Sequence, residues 1–187
     1  DLLNKQEVHN FLTKVKPSIV FNLSGPSSVY ESLNNHKLEN EIKIIFNNLT
    51  DSLIENRNFC NFFQASSSEM YGLNNKEELY TEKSSFIPNS PYANAKLINH
   101  NRVKELYKIF DWQIFSGILF NHESPRKDVQ FVGRKISYSV AKIKNGMQKN
   151  IVLGDLEAKR DWGHAKDYVE AMWLMTQQEK ADDFVIG

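Results

Sequence analysis

Helical and strand-like segments alternate with short connections, and the strand-like runs are apolar on both faces. These two observations predict an α/β fold, a doubly wound parallel sheet with helices on each side. A third observation predicts that the sheet is incomplete. The eight glycines include no Gly-x-Gly and no Gly-x-x-Gly, so the strand, glycine turn and helix that usually open such a fold are missing from this sequence.

In chain order, Val8, Phe11, Leu12 and Val15 repeat at helical spacing until Pro17, where a helix must stop. Residues 18–23 form a short apolar run that predicts a buried strand entering Ser24-Gly25-Pro26. Leu38, Ile42, Ile45, Leu49 and Leu53 mark the next helix, and 59–65 the next strand. A polar loop is expected over 73–89, then a helix from Pro91 to about Phe110, because proline is tolerated in a first turn. Residues 112–120 read as a strand, and 131–144 as a helix with Val132, Ile136, Val140 and Ile143 turned inward. A short strand at 151–153, a helix over 166–179 and a last strand at 184–186 complete the series. The chain opens at Asp1 inside a helical pattern and closes at Gly187 on a strand end. Both ends read as interior to a longer protein.

Composition excludes several classes of function. Hydrophobic residues at 41% and charged residues at 25% are ordinary for a soluble globular domain. A formal net charge of zero gives no reason to expect nucleic acid or an anionic membrane as partner. No apolar run approaches the ~18 residues of a membrane span, and no signal peptide is visible. Cys60 is the single cysteine, so no internal disulfide can form, and its apolar neighbours predict a buried thiol. The expected compartment is reducing, the cytoplasm. The five histidines are scattered without metal-ligand spacing, so no metal is expected.

Tyr92 and Lys96 lie four apart on a predicted helix and so share a face. An ammonium there favours tyrosinate and lowers a pKa of about 10. Such a tyrosine can take the proton of a substrate hydroxyl while hydride leaves the same carbon. Tyr138 and Lys142 have the same spacing, and on spacing alone either pair serves equally as a packed or solvated helix face. Context separates them. The strand at 59–65 runs into Ser66-Ser67-Ser68-Glu69-Met70-Tyr71-Gly72, with Ser67 25 residues before Tyr92. Ligands of open α/β sheets bind beyond the carboxyl ends of the strands, so a hydroxyl and a carboxylate would project there beside Tyr92. Tyr138 has no such strand and is read as structural.

Four segments carry a family resemblance: Gln64 to Gly72, Ser90-Pro91-Tyr92-Ala93-Asn94-Ala95-Lys96-Leu97, Gly117 to Arg126 with Asn121-His122-Glu123-Ser124-Pro125 inside it, and Arg160-Asp161-Trp162-Gly163-His164-Ala165-Lys166-Asp167-Tyr168-Val169. In this order they resemble the consecutive motifs of the GDP-mannose 4,6-dehydratases, extended short-chain dehydrogenases with a Rossmann-like sheet. The resemblance spans about Ile19 to Gly187. It implies an NADP-dependent, redox-neutral dehydration of GDP-mannose to its 4-keto-6-deoxy sugar, a step towards GDP-fucose, by a homodimer or homotetramer. It implies catalytic roles for Ser67, Glu69, Tyr92 and Lys96: Ser67 holding the C4 oxygen, Glu69 taking the C5 proton, and Tyr92 exchanging protons with O4. Leu23, Ser24, Ser27, Tyr92, Lys96, His122 and Lys127 would touch the cofactor, and Asn121, Lys135, Gly154 and Arg160 the sugar or diphosphate. The whole chain is then one partial NADP-binding domain, with substrate-binding segments interleaved over about 121–160.

The sequence departs from the family pattern in places. Ser67 replaces the usual threonine and keeps its hydroxyl. Lys127 replaces an arginine, keeping charge without a bidentate fork. Pro26 removes a backbone N–H from the segment after the first strand, and the tyrosine and Asp-x-x-Gly expected near Leu38 are missing. Asp161 and Asp167 read as carboxylates bonding backbone amides at a helix start, His164 as structural, and Trp162 and Trp173 as core. Two other readings stand beside the dehydratase: another nucleotide-sugar dehydratase or epimerase, and a truncated, non-catalytic domain that binds a nucleotide sugar.

Overall fold

The computed structural model describes residues 1–35, 37–72 and 79–187; positions 73–78 of the expected polar loop lie outside the described residues. Four parallel strands form the main sheet, in the order β1 (Ile19–Asn22), β2 (Asn61–Ser67), β3 (Ile114–Leu119) and β6 (Asp183–Ile186). Helices α1 (Lys5–Val15), α3 (Lys37–Glu55) and α4 (Pro91–Phe110) cover one face, and α6 (Ala165–Thr176) covers the other. A second, two-stranded parallel sheet pairs β4 (Asn121–Glu123) with β5 (Trp162–His164).

Alternation along the strands explains why both faces are apolar. Phe62 and Ile114 pack with Leu12, Phe46, Leu53 and Trp112, whereas their neighbours Phe63 and Phe115 pack with Tyr168, Met172 and Met175 of α6. A strand places successive side chains on opposite faces, so a sheet sandwiched by helices favours near-continuous apolar runs. Gly117 lets this happen at close quarters, because a Cβ there would come within 2.5 Å of the Phe63 ring. Cys60 is buried directly before β2, and burial pushes its thiol up to about 11. It is packing, not a nucleophile.

Local signals set the helix ends. Asn4 caps α1 by accepting from the Gln6 and Glu7 amides, and Ser90 caps α4 by accepting from the Ala93 amide with Pro91 behind it. At α6 the expected aspartates do not cap. His164 Nδ1 accepts from the Lys166 amide, and Asp167 sits in the first turn, where its charge suits the helix dipole.

Three further expectations are corrected. Residues 151–153 form no strand, since no neighbour supplies a ladder. In α5 (Val132–Lys144), Val132, Val140 and Ile143 are 44, 55 and 36% exposed, and the buried residue is Ser139. Periodicity shows that a helix has an apolar face, not that something covers it. Trp162 and Trp173 are about half exposed, Trp162 on a three-residue strand and Trp173 on the outer side of α6; the buried tryptophan is Trp112, whose indole N–H donates to the Cys60 carbonyl at 2.6 Å.

Candidate active site

β2 ends on Ser67, two residues later than its apolar run suggested, so the serine is both the last strand residue and the cap of the adjoining turn. Its hydroxyl accepts from the Glu69 amide at 3.3 Å and starts a single 3-10 turn, Ser68–Tyr71. Gly72 closes that turn at φ +74, where an added Cβ would run into the Ile87 carbonyl oxygen. No L side chain fits there. The Ile87 amide donates back to Met70 O at 2.9 Å, and the Tyr71 ring stacks on Tyr80 at 4.5 Å. Glu69 therefore projects from a turn pinned on both sides.

Opposite stands the first turn and a half of α4. Tyr92 is 9% exposed and Lys96 6%. The Tyr92 amide donates to Ser32 Oγ at 3.3 Å, which ties it to α2 (Val29–Asn34). Lys96 Nζ donates to the Ala65 carbonyl at 2.9 Å and lies 5.7 Å from the Tyr92 ring centre. Ser67, Glu69, Tyr92 and Lys96 all line one cavity of about 890 Å³ at the carboxyl ends of the strands.

The electrostatics correct one expectation. Tyr92 is not lowered by Lys96. Burial pushes its phenol up to about 12, a hydrogen bond with Ser67 opposes the rise, and the Glu69 charge adds to it. Burial also pulls Lys96 down to about 8. Removal of the charged form from water is the leading cause at both residues.

Of the other residues singled out, Leu23, Ser27, Asn121, His122 and Lys127 line the same cavity. Ser24 lies beside it, bonded through its hydroxyl to Asn22. Lys127 Nζ is held by Glu123 at 3.2 Å and by the His122 carbonyl at 2.8 Å. Lys135 on α5, Gly154 with nothing within 4 Å of an added Cβ, and the exposed Arg160 are not brought to the cavity. Tyr138 is 44% exposed, with Lys142 Nζ 4.7 Å from its ring centre.

Sequence reasoning passed over two groups. Tyr168 is 2% exposed, lines the cavity and meets the His122 ring at a tilt, 4.8 Å between ring centres. Ser66, Ser116 and His100 form a buried polar chain behind the site. Polar residues at apolar phases of strands and helices were the available signal, since a buried polar group needs a partner.

The family model for GDP-mannose 4,6 dehydratase matches residues 1–187. The GDP-mannose 4,6 dehydratase of Homo sapiens is 42% identical over 193 residues, covering 100% of this chain and 51% of that protein. The Dictyostelium discoideum enzyme of the same name is 41% identical over 192 residues, covering 100% and 53%. The chain thus spans about half the length of these curated relatives. Among solved structures, RMD from Pseudomonas aeruginosa complexed with NADPH superposes with a TM-score of 0.92 at 24% identity, covering all of this chain and 64% of that one. A Bacillus anthracis dTDP-glucose 4,6-dehydratase in complex with NAD gives 0.84 at 19%, covering 100% and 56%. The structural likenesses establish the Rossmann-like fold, and the sequence matches establish the family: the chain belongs to the GDP-mannose 4,6-dehydratases.

Proposed function

We propose that this chain, as a member of the GDP-mannose 4,6-dehydratase family, carries the reacting-centre half of an enzyme that dehydrates GDP-mannose to GDP-4-keto-6-deoxymannose with NADP. The observation that carries the reading is the convergence of Ser67, Glu69, Tyr92 and Lys96 on one cavity. Its donor set suits the nicotinamide and ribose end of a dinucleotide. An ammonium has three protons and Lys96 spends one on Ala65 O, leaving two for ribose hydroxyls. Leu119, Phe120 and Met172 supply an apolar wall. Nothing among the described residues offers a glycine-rich cradle for the pyrophosphate.

Bound NADP would supply an acceptor for the C4 hydride and a donor of that hydride to C6, which would make the overall reaction a loss of water without net redox change. The protein moves the protons. Tyr92 takes the O4 proton, and the Ser67 hydroxyl, already in its reach, holds the C4 oxygen. The resulting ketone acidifies the C5 hydrogen. Glu69, on its pinned turn, takes that proton and gives it to the departing C6 hydroxyl, which leaves as water. The proton that Tyr92 took from O4 then goes to C5, which returns both groups to their starting state. The Tyr92 phenol, raised to about 12, keeps its proton readily, so it needs positive charge, which an oxidised nicotinamide ring would bring, to work as a base. The same reading places the protein in the cytoplasm, on a route to GDP-fucose, as a dimer or tetramer.

The test is Glu69→Gln in the natural polypeptide that carries this chain, with GDP-mannose and NADP⁺ and product followed by mass spectrometry. Dehydration is expected to fall by ~10²- to 10⁴-fold, with melting unchanged because Glu69 is partly exposed. Full activity in that variant would remove Glu69 from the mechanism. Turnover of UDP- or dTDP-sugars in place of GDP-mannose would overturn the substrate.

A further inference from the structure

His100 is fully buried on α4, one turn after Lys96, and no step of the proposed chemistry uses it. Its Nδ1 lies 2.8 Å from Ser116 Oγ on β3, and Ser116 Oγ lies 2.8 Å from Ser66 Oγ on β2. Its Nε2 lies 3.4 Å from Asp183 Oδ2 on β6, and Lys104 Nζ holds the same oxygen at 2.8 Å. The Phe86 ring meets the imidazole edge-on at 5.1 Å, and Phe86 also packs on Tyr71 of the Glu69 turn at 5.1 Å. Three strands, the helix of Tyr92 and the segment behind Glu69 therefore meet at one imidazole.

Hydroxyl, imidazole and carboxylate in this order suggest nucleophilic catalysis, but the burial rules it out. Ser116 and His100 are both 0% exposed, so no substrate reaches the hydroxyl. One direction suits the carboxylate that faces the ring: Ser66 donating to Ser116, Ser116 donating to Nδ1, and the Nε2 proton facing Asp183 without making a hydrogen bond to it. That direction needs a neutral ring. Burial pulls His100 down to about 4; Asp183 opposes this and Lys104 adds to it.

We infer that His100 is a positioning residue that, through Ser116, ties the Lys96 turn of α4 to Ser66, the neighbour of Ser67. Behind the Tyr92–Ser67 hydrogen bond of the reacting centre, two further connections among the described residues hold α4 to this end of β2. One is Lys96 to Ala65 O; the other runs from His100 through Ser116 to Ser66. On the dehydratase reading, on which this inference rests, Lys96 would share its ammonium between Ala65 O and the cofactor ribose, so that tie also serves the cofactor. The His100 tie is untouched by cofactor and keeps Tyr92 in register with Ser67 and Glu69. A misplacement of about 1 Å at a reacting centre costs on the order of 100-fold in rate.

The test compares His100→Leu, which keeps bulk and loses both polar ends, with His100→Asn, whose amide reaches Ser116. In the natural polypeptide, folded His100→Leu is expected to lose about 10- to 100-fold in kcat, with KM for GDP-mannose within about twofold, and His100→Asn to recover most of it. Ser66→Ala, which leaves the α4 packing intact, is expected to lose kcat in the same sense. Backbone hydrogen exchange reads the tie without turnover: amides over 64–69 and 92–96 should exchange faster in His100→Leu and Ser66→Ala. Unchanged kcat in folded variants, or lower Tm with unchanged kcat, overturns the inference. Should the parent fail to dehydrate GDP-mannose, the functional reading falls, and the exchange experiment alone decides on His100: unchanged protection at those amides overturns it.

Discussion

The chain carries the same Tyr-x-x-x-Lys spacing twice, on α4 and on α5, and the two helices put it to opposite use. Tyr92 is 9% exposed and Tyr138 is 44%. Lys142 stands closer to its tyrosine ring, at 4.7 Å, than Lys96 does, at 5.7 Å. The tighter cation–ring contact is thus the one in solvent, where such contacts contribute about 0.5–1 kcal/mol. What distinguishes α4 is its setting. It packs on β2 and β3, Ser32 of α2 receives its second amide, and the Ser67–Glu69 turn faces it across the cavity. Spacing puts two side chains on one face; the sheet beneath decides whether that face is a reacting centre.

The contrast can be broken by experiment, starting with the largest effect. On the proposed mechanism Tyr92→Phe removes the proton acceptor and should lower turnover by ~10²- to 10⁴-fold, while Tyr138→Phe should leave it within about twofold. Comparable losses in both would erase the distinction. A stability contrast runs along the same division. Phe62 is 0% exposed between β2 and the α1–α3–α4 layer, so Phe62→Ala should cost about 3–5 kcal/mol in denaturant unfolding. Val140→Ala on the open face of α5 should stay within about 0.5 kcal/mol.

Acid sharpens the comparison further. The folded His100 pKa of about 4 lies below its ordinary 6.5. Between those values the unfolded chain holds a proton that the folded chain refuses, so stability falls as pH drops through this window. The loss should be on the order of 3 kcal/mol, and His100→Leu should flatten it. The smallest effect belongs to α5: Lys142→Ala should cost about 0.5 kcal/mol or less.

The sequence made the main sheet and its long helices legible because each carries its own period. Phe62, Phe63, Ile114 and Phe115 mark strands buried on both faces, and the Leu38-to-Leu53 stripe marks α3. The short elements were not legible. Helix α2 has six residues, too few to show a period. Strands β4 and β5 have three each and exist only because Asn121–Glu123 pairs with Trp162–His164, about forty residues away. That Ser67, Glu69, Tyr92 and Lys96 gather on one cavity could be read because strand, turn and helix succeed one another in the chain. The rise of Tyr92 could not be read, since burial is a property of the assembled layers. Nor could the His100 chain, whose members come from α4, β2, β3 and β6.

The central claim is that the Ser67, Glu69, Tyr92 and Lys96 cavity moves hydrogen within one sugar and expels water. The most direct measurement uses GDP-mannose deuterated at C4, with NADP⁺ and the natural polypeptide that carries this chain, and locates the label in the product. The account predicts a 4-keto-6-deoxy sugar with deuterium at C6 and none at C4. Deuterium retained at C4, or a product that has lost no water, would contradict it.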